Sequence, residues 1–292
     1  MANGEQGTHT RSHPLPSPSS RRRSALSFPF PASPFPLFLP DMITADHLRK
    51  TFPGKGRKDP PVIAVDDVSF EARDGEITGL LGPNGAGKTT TLRMLYTLMR
   101  PETGRVLVDG IDVAADPAAV RRSLGVLPDA RGVYKRLSAR ENIRYFGELH
   151  GMAAADIAAR TAKLARALQM DDFLDRRTEG VSQGQRTTTA IARALVHDPR
   201  NVILDEPTNG LDVMTTRGLR GFLRELRAEG RCVIFSSHIM QEVAALCDRI
   251  VVIAKGQVVA QGTPDELRAQ AGEENLEDAF VRLIGSEEGL FS

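Results

Sequence analysis

The stretch Gly82-Pro83-Asn84-Gly85-Ala86-Gly87-Lys88-Thr89 has the pattern G-x-x-x-x-G-K-[ST], set between the apolar run Glu76–Leu81 and a helical pattern opening at Lys88. Strand, glycine-rich loop and helix in that order make a cradle for phosphate. Glycines let successive backbone N–H groups curl around phosphate oxygens where a side chain would clash. The helix N-terminus adds unpaired donors and partial positive charge. Lys88 has the reach for β- and γ-phosphates, and the Thr89 hydroxyl is a ligand for Mg²⁺.

Further along, Asn201-Val-Ile-Leu-Asp205 is an apolar strand that ends in the adjacent carboxylates Asp205 and Glu206, followed by Pro207. A buried strand has no stability reason to end this way, because unpaired buried carboxylates are costly. Beside a nucleotide and Mg²⁺ they have work to do. Asp205 would hold the metal, and Glu206 would orient and polarise an attacking water.

Around these two segments the chain alternates. Strands are expected at 43–49, 62–71, 76–81, 104–109, 201–205, 232–237 and 249–260, rich in Val and Ile. Helices are expected at 88–99, 116–123, 139–150, 153–169, 184–197, 213–229, 239–246 and 264–270. The fold class is therefore α/β, with a helical block at about 129–197 inserted in it. Residues 1–41 differ from everything after them. The first forty hold eight of the 18 prolines, seven serines and the run Arg21-Arg22-Arg23. That composition predicts a disordered tail, with Met42 as a candidate start.

Composition removes several function classes. The chain has 292 residues and a net charge of +1. The first forty residues account for +3, which leaves −2 for the body and no electrostatic footprint for nucleic acid. No run of 18 apolar residues exists to span a membrane as a helix. Cys232 and Cys247 form neither a disulfide framework nor a zinc pattern and read as buried thiols.

Between the loop and the carboxylates stands Val181-Ser182-Gln183-Gly184-Gln185-Arg186, which resembles the LSGGQ signature of ATP-binding cassette (ABC) ATPases. Asn209-Gly-Leu-Asp212 is similar to that family's D-loop, and Ser236-Ser-His238 to its switch histidine. Phe52 sits where the family places an aromatic residue that stacks on adenine. The resemblance covers 42–271, with 272–292 as a C-terminal extension. Within the family, Leu127–Tyr134, Glu179–Arg186 and Ser237–Val243 look most like the NatA-type, sodium-exporting subunits.

The resemblance implies a P-loop ABC ATPase fold: a RecA-like core, an antiparallel β subdomain and the inserted helical subdomain. It implies ATP and Mg²⁺. Catalysis would fall to Glu206, His238 and Lys88. Nucleotide would be held by Phe52, by Gly82 to Thr90 (Gly82, Pro83, Asn84, Gly85, Ala86, Gly87, Lys88, Thr89, Thr90), and by Ser182, Gly184, Gln185 and Asp212. Metal would be held by Thr89, Asp129 and Asp205. Two departures stand out. Asp129 occupies the place of the Q-loop glutamine after the strand ending at Pro128, and Gln183 replaces the first glycine of the signature pair.

The resemblance also implies a head-to-tail homodimer, or a pairing with a second ATP-binding subunit, in which each signature completes the other protomer's site. Work would be exported to an integral membrane permease from the cytoplasmic face. The candidate surface for that partner is Asp129–Tyr134 with Asn142–Phe146. A drug or antibiotic exporter is the alternative to sodium or a small solute. A soluble member acting on ribosomes or DNA fits less well. The chain carries one cassette, and only 117 residues separate Lys88 from Asp205, without heptads.

Overall fold

The computed structural model describes residues 42–285 except 55, 57, 58 and 131; the Pro/Ser-rich tail over 1–41 and residues 286–292 lie outside the described residues. Two sheets organise them. Strands β1 (Met42–Phe52), β2 (Val62–Arg73), β4 (Thr103–Val108) and β5 (Ile111–Asp112) form an antiparallel sheet in the order β2-β1-β4-β5. The central sheet also uses β3 (Ile77–Leu81), β6 (Leu124–Leu127), β7 (Asn201–Asp205), β8 (Cys232–Ser237), β9 (Arg249–Ala254) and β10 (Gln257–Gly262). Its order is β10-β9-β3-β8-β7-β6, parallel except for the edge strand β10.

Each central strand deals its side chains alternately to two layers, as a period of two demands. Leu80, Ile203, Cys232, Ile234, Val251 and Ile253 join one core, shared with the antiparallel sheet and with helix α1 (Lys88–Leu95). Ile77, Leu81, Val202, Leu204, Val233 and Phe235 join the other, on the helical side. There lie α5 (Gln183–Leu195), α6 (Val213–Ala228), α7 (Met240–Leu246) and α9 (Leu276–Ile284). Gly79 is what lets α7 close on β3, since a Cβ there would meet Cys247 Sγ and Val243 Cγ1 at 2.7 Å. Both cysteines are free and buried, and burial holds both thiols well above the ordinary range.

The remaining helices are α2 (Pro117–Ser123), α3 (Ala139–Leu149), α4 (Ala154–Ala167) and α8 (Pro264–Ala271). Helix α5 belongs to two layers at once, packing on β6 of the sheet and on α3. Three expectations need correcting. The strand expected over 249–260 is a hairpin, because Lys255 (φ 50°) and Gly256 (φ 80°) are both left-handed and turn the chain between β9 and β10. A second turn of that kind, at Asp109 and Gly110, creates the unexpected strand β5. Helix α1 stops at Leu95 rather than 99, because Thr97 turns left-handed (φ 67°) ahead of Pro101. An additional helix, α9, caps the end of the described chain with Leu276, Ala279 and Phe280 packed inward.

Candidate active site

Parallel pairing fixes where the motifs meet. Leu81 pairs with Ser237 and Asp205 with Ser236, so the C-terminal ends of β3, β7 and β8 stand side by side. The loop 82–87 leaves β3 there and is seated by close backbone approach. A Cβ on Gly82 would lie 2.1 Å from Ile253 O, and one on Gly87 would lie 2.4 Å from Ala64 O. Gly87 is also left-handed, at φ 106°. Only glycine fits either place. No side chain caps the N-terminus of α1. Its first-turn donors and partial charge face the loop, which suits a phosphate. Asn84 and Gly85 are exposed at the tip, while Pro83, Thr89 and Thr90 are half-buried and Ala86 is buried.

Lys88 is 6% exposed, and its Nζ donates to Gly82 O at 2.6 Å and Pro83 O at 3.2 Å. Glu206 Oε1 is 3.7 Å from the same nitrogen. Burial holds the Lys88 ammonium below its ordinary pKa, and the two carboxylates beside it oppose that shift.

Asp205 is fully buried at the end of β7. Ser236 Oγ donates to its Oδ1 at 2.6 Å, while Oδ2 has no hydrogen-bond partner among the described residues. A buried carboxylate oxygen left open beside a helix N-terminus is a hard-oxygen ligand in need of a cation, which fits Mg²⁺. Nearby Tyr96 feels the same charge: burial first, then Asp205, pushes its phenol up to about 12.

Glu206 is held in a left-handed backbone conformation (φ 47°), uncommon for a residue with a side chain. Its N–H donates to Ser236 Oγ at 2.9 Å, and its carbonyl accepts from Asn209 N at 3.2 Å. The turn aims its carboxylate between Lys88 and His238, whose Nδ1 lies 3.0 Å from Glu206 Oε2. The structure thus gathers Lys88, Asp205, Glu206 and His238 into one constellation. Ser236 is the contact that sequence reasoning passed over, although it stands inside the quoted Ser-Ser-His motif.

The other expected residues lie apart from that cluster. Phe52 ends β1 opposite Val62, two residues from the Ala64 that seats Gly87, so the hairpin brings it to the same end of the fold. Ser182 caps α5 in a capping box with Gln185: Gln185 N donates to Ser182 Oγ at 3.1 Å and Ser182 N to Gln185 Oε1 at 3.0 Å. Gly184 is buried behind it against Gly210 O. Asp212 caps α6 by accepting from Thr215 N at 2.9 Å, a bond that holds its carboxyl below the usual range. Asp129 is exposed and lines a polar cavity of ≈ 590 Å³ with Lys135, Gln183, Arg186 and Asn209. Ser182, Gln183 and Asp212 all face solvent.

A second cavity, open and ≈ 800 Å³, runs between α5, α3 and the segment after α1, lined among others by Leu98, Arg121, Phe146, Leu149, Arg193 and His197. Leu98 and Leu149 expose 68% and 63% of their surface there. Among the described residues of the surface expected at 129–134 and 142–146, only Phe146 lines this groove. Asn142 is fully buried, accepting from Tyr134 N at 2.9 Å, and Tyr134 and Tyr145 meet edge to face outside the groove at 5.4 Å.

Comparison with known proteins agrees with this geometry. Residues 65–209 match the family described as ABC transporter. The chain is 42% identical to the ABC transporter ATP-binding protein NatA of Bacillus subtilis, over 83% of this chain and 98% of that one. It is 37% identical to the doxorubicin resistance ATP-binding protein DrrA of Mycobacterium tuberculosis, over 84% of this chain and 75% of that one. A solved ATP-binding subunit of an ABC transporter superposes with a TM-score of 0.74 at 29% identity, covering 83% of this chain and 99% of that chain.

Proposed function

Because the chain belongs to the ABC transporter ATP-binding family, we propose that Lys88, Asp205, Glu206 and His238 form its hydrolytic centre and that the work is delivered to a membrane exporter. The protein is an ATPase that converts ATP and water to ADP and phosphate and powers an exporter. The observation that carries the residue assignment is the contact chain Lys88–Glu206–His238, built beside the open oxygen of Asp205.

Each side chain has a task set by its place. The loop 82–87 and the N-terminus of α1 bind the phosphates through backbone N–H groups, and Lys88 adds positive charge toward the γ-phosphate. Thr89 and Asp205 would hold Mg²⁺, which supplies charge neutralisation on the phosphate oxygens. Glu206 orients a water and draws its proton as the water oxygen bonds to the γ-phosphorus, while the bond from that phosphorus to the bridging oxygen breaks and ADP leaves with the electron pair. His238, within hydrogen-bond distance of Glu206, fixes the direction of that carboxylate. Phe52 offers a ring to the adenine.

Ser182, Gly184, Gln185 and Asp212 serve the site of a second copy. Ser182 with Gln185, and Asp212, cap exposed helix N-termini, Gly184 lies behind the first of them, and none of the four makes a hydrogen bond or ion pair to Lys88 or Glu206 among the described residues. A head-to-tail dimer with two ATP molecules between the subunits uses both surfaces twice.

The groove beside α5 is the docking place for a short helix of an integral membrane permease. Leu98 and Leu149 offer the apolar contact, and the exposed Arg121 the polar rim. Docked there, the protein would sit peripherally at the cytoplasmic face of the membrane. Separately, no helix among the described residues is long and apolar enough to cross a membrane. The resemblance of Leu127–Tyr134, Glu179–Arg186 and Ser237–Val243 to sodium-exporting subunits supports sodium or a small solute as cargo, and likeness to the doxorubicin resistance protein DrrA keeps drug export as the second reading. The Glu206→Gln variant should bind ATP, hydrolyse it on the order of 100-fold or more slowly, and accumulate as a closed dimer. Wild-type turnover in that variant sinks the assignment of the base.

A further inference from the structure

We propose that Glu242 is a positioning residue for ATP hydrolysis, its carboxylate fastening the loop that carries Glu206 to the loop that carries His238. Glu242 lies in the first turn of α7 and is 7% exposed. Thr208 Oγ1 donates to its Oε2 at 2.6 Å, and Ser237 Oγ donates to the same oxygen at 3.0 Å. The N–H of Ile239 donates in turn to Ser237 Oγ at 3.0 Å.

The addresses of these donors carry the argument. Thr208 follows Glu206 by two residues, and Ser237 immediately precedes His238. The strap therefore closes a ring: Glu206 through Thr208 to Glu242, on to Ser237 and His238, and back to Glu206 by the 3.0 Å contact. Glu206 sits in a left-handed backbone conformation that persists only when its surroundings over-determine it. Ser236 pins it from the N-terminal side, and the strap pins it from the C-terminal side. Loosening the strap lets the carboxylate and the imidazole drift apart, and displacements of about 1 Å at a reacting group can lower rates about 100-fold. The loop at 82–89 makes no hydrogen bond to Thr208, Ser237 or Glu242 among the described residues, so phosphate binding does not depend on the strap.

Both hydroxyls donate to one oxygen, so the strap needs an acceptor with two lone pairs and no charge. That separates it from a role in electrostatics. In the full chain, Glu242→Ala should lower kcat by about 10- to 100-fold while leaving nucleotide Kd within about threefold. Glu242→Gln, whose amide oxygen can take both bonds, should restore kcat to within about threefold of wild type. Thr208→Val and Ser237→Ala each cut the strap without touching the carboxylate. Each should lower kcat by about tenfold, and the pair together should do little more than either alone.

Three results would overturn the proposal: kcat within about twofold of wild type in Thr208→Val and Ser237→Ala, Glu242→Gln no better than Glu242→Ala, or nucleotide affinity falling in step with kcat. The inference rests on Glu206 being the base. Wild-type turnover in Glu206→Gln sinks that assignment and this one with it. Lost turnover there beside full turnover in Glu242→Ala sinks this one alone.

Discussion

The two ends of the nucleotide machinery in this chain are built differently. Around Lys88, Asp205 and Glu206 nearly everything is buried, tied and pre-aimed: glycines pressed against backbone, a serine bridging two carboxyl-bearing residues, a lysine held by two carbonyls. Around Ser182, Gln183 and Asp212 the side chains face solvent and are used only to cap their own helices. Helix α5 shows the contrast along its own length. Its mouth at Ser182 is open, while just past its far end His197 is half-buried, with Nε2 3.0 Å from Leu124 O. On the proposed assignment, one end performs chemistry within a chain, and the other is shaped for something that arrives. A half-built surface in a fold otherwise well satisfied is the mark of a shared site.

The strongest test of that contrast is complementation. Lys88→Ala and Ser182→Arg should each reduce ATPase activity by at least about 100-fold, because every homodimer then lacks one half of both sites. Mixed in equal amounts, they should recover up to about a quarter of wild-type activity, since half the dimers are heterodimers with one intact site. No recovery in the mixture would mean that each chain carries its whole site.

Next in size is Gly87→Ala. A Cβ 2.4 Å from Ala64 O at φ 106° has nowhere to go, and nucleotide affinity should fall on the order of 100-fold by calorimetric titration. The matching change at the open end, Gly184→Ala, meets nothing nearer than 3.6 Å. Its melting temperature should stay close to that of wild type.

The buried end of α5 has a pH signature. Burial, with the stacked ring of His150 next, pushes His197 down to about 4, while the free ring titrates near 6.5. Between those values the unfolded chain binds the extra proton and the folded chain does not. Stability is therefore full above about pH 6.5 and falls as the pH drops toward 4, by about 3 kcal/mol. His197→Phe should flatten denaturation midpoints across that window, and an unchanged slope would mean the ring is not buried neutral. The smallest effect belongs to a cap: Asp212→Ala should lower the melting temperature slightly, through loss of the Thr215 bond.

Much of the fold was legible because the strands that hold the site are short apolar runs with marked ends. Ile77–Leu81 runs into glycines and Asn201–Asp205 into carboxylates, so both the strands and their exits could be read. The Asp109-Gly110 turn carries a local hairpin signal that the reading did not use, whereas Lys255-Gly256 carries little, because Lys adopts left-handed geometry only where the pairing of the flanking strands enforces it. Helix α9 carried its apolar spacing openly at Leu276, Ala279, Phe280 and Leu283. It was passed over as an extension because nothing local says that α7 and β10 lie beneath it. In the site, residue types gave Lys88, Asp205 and Glu206. Ser236 and Glu242 stayed hidden, because a serine or a glutamate acquires a role only when strands 31 residues apart become neighbours.

The left-handed backbone of Glu206 has a consequence for anyone who would engineer this protein. A side chain in that conformation stores about 1 kcal/mol that glycine would release. Directed evolution toward heat resistance, run without a catalytic counter-selection, would therefore reward Glu206→Gly and return a sturdier chain that no longer turns over.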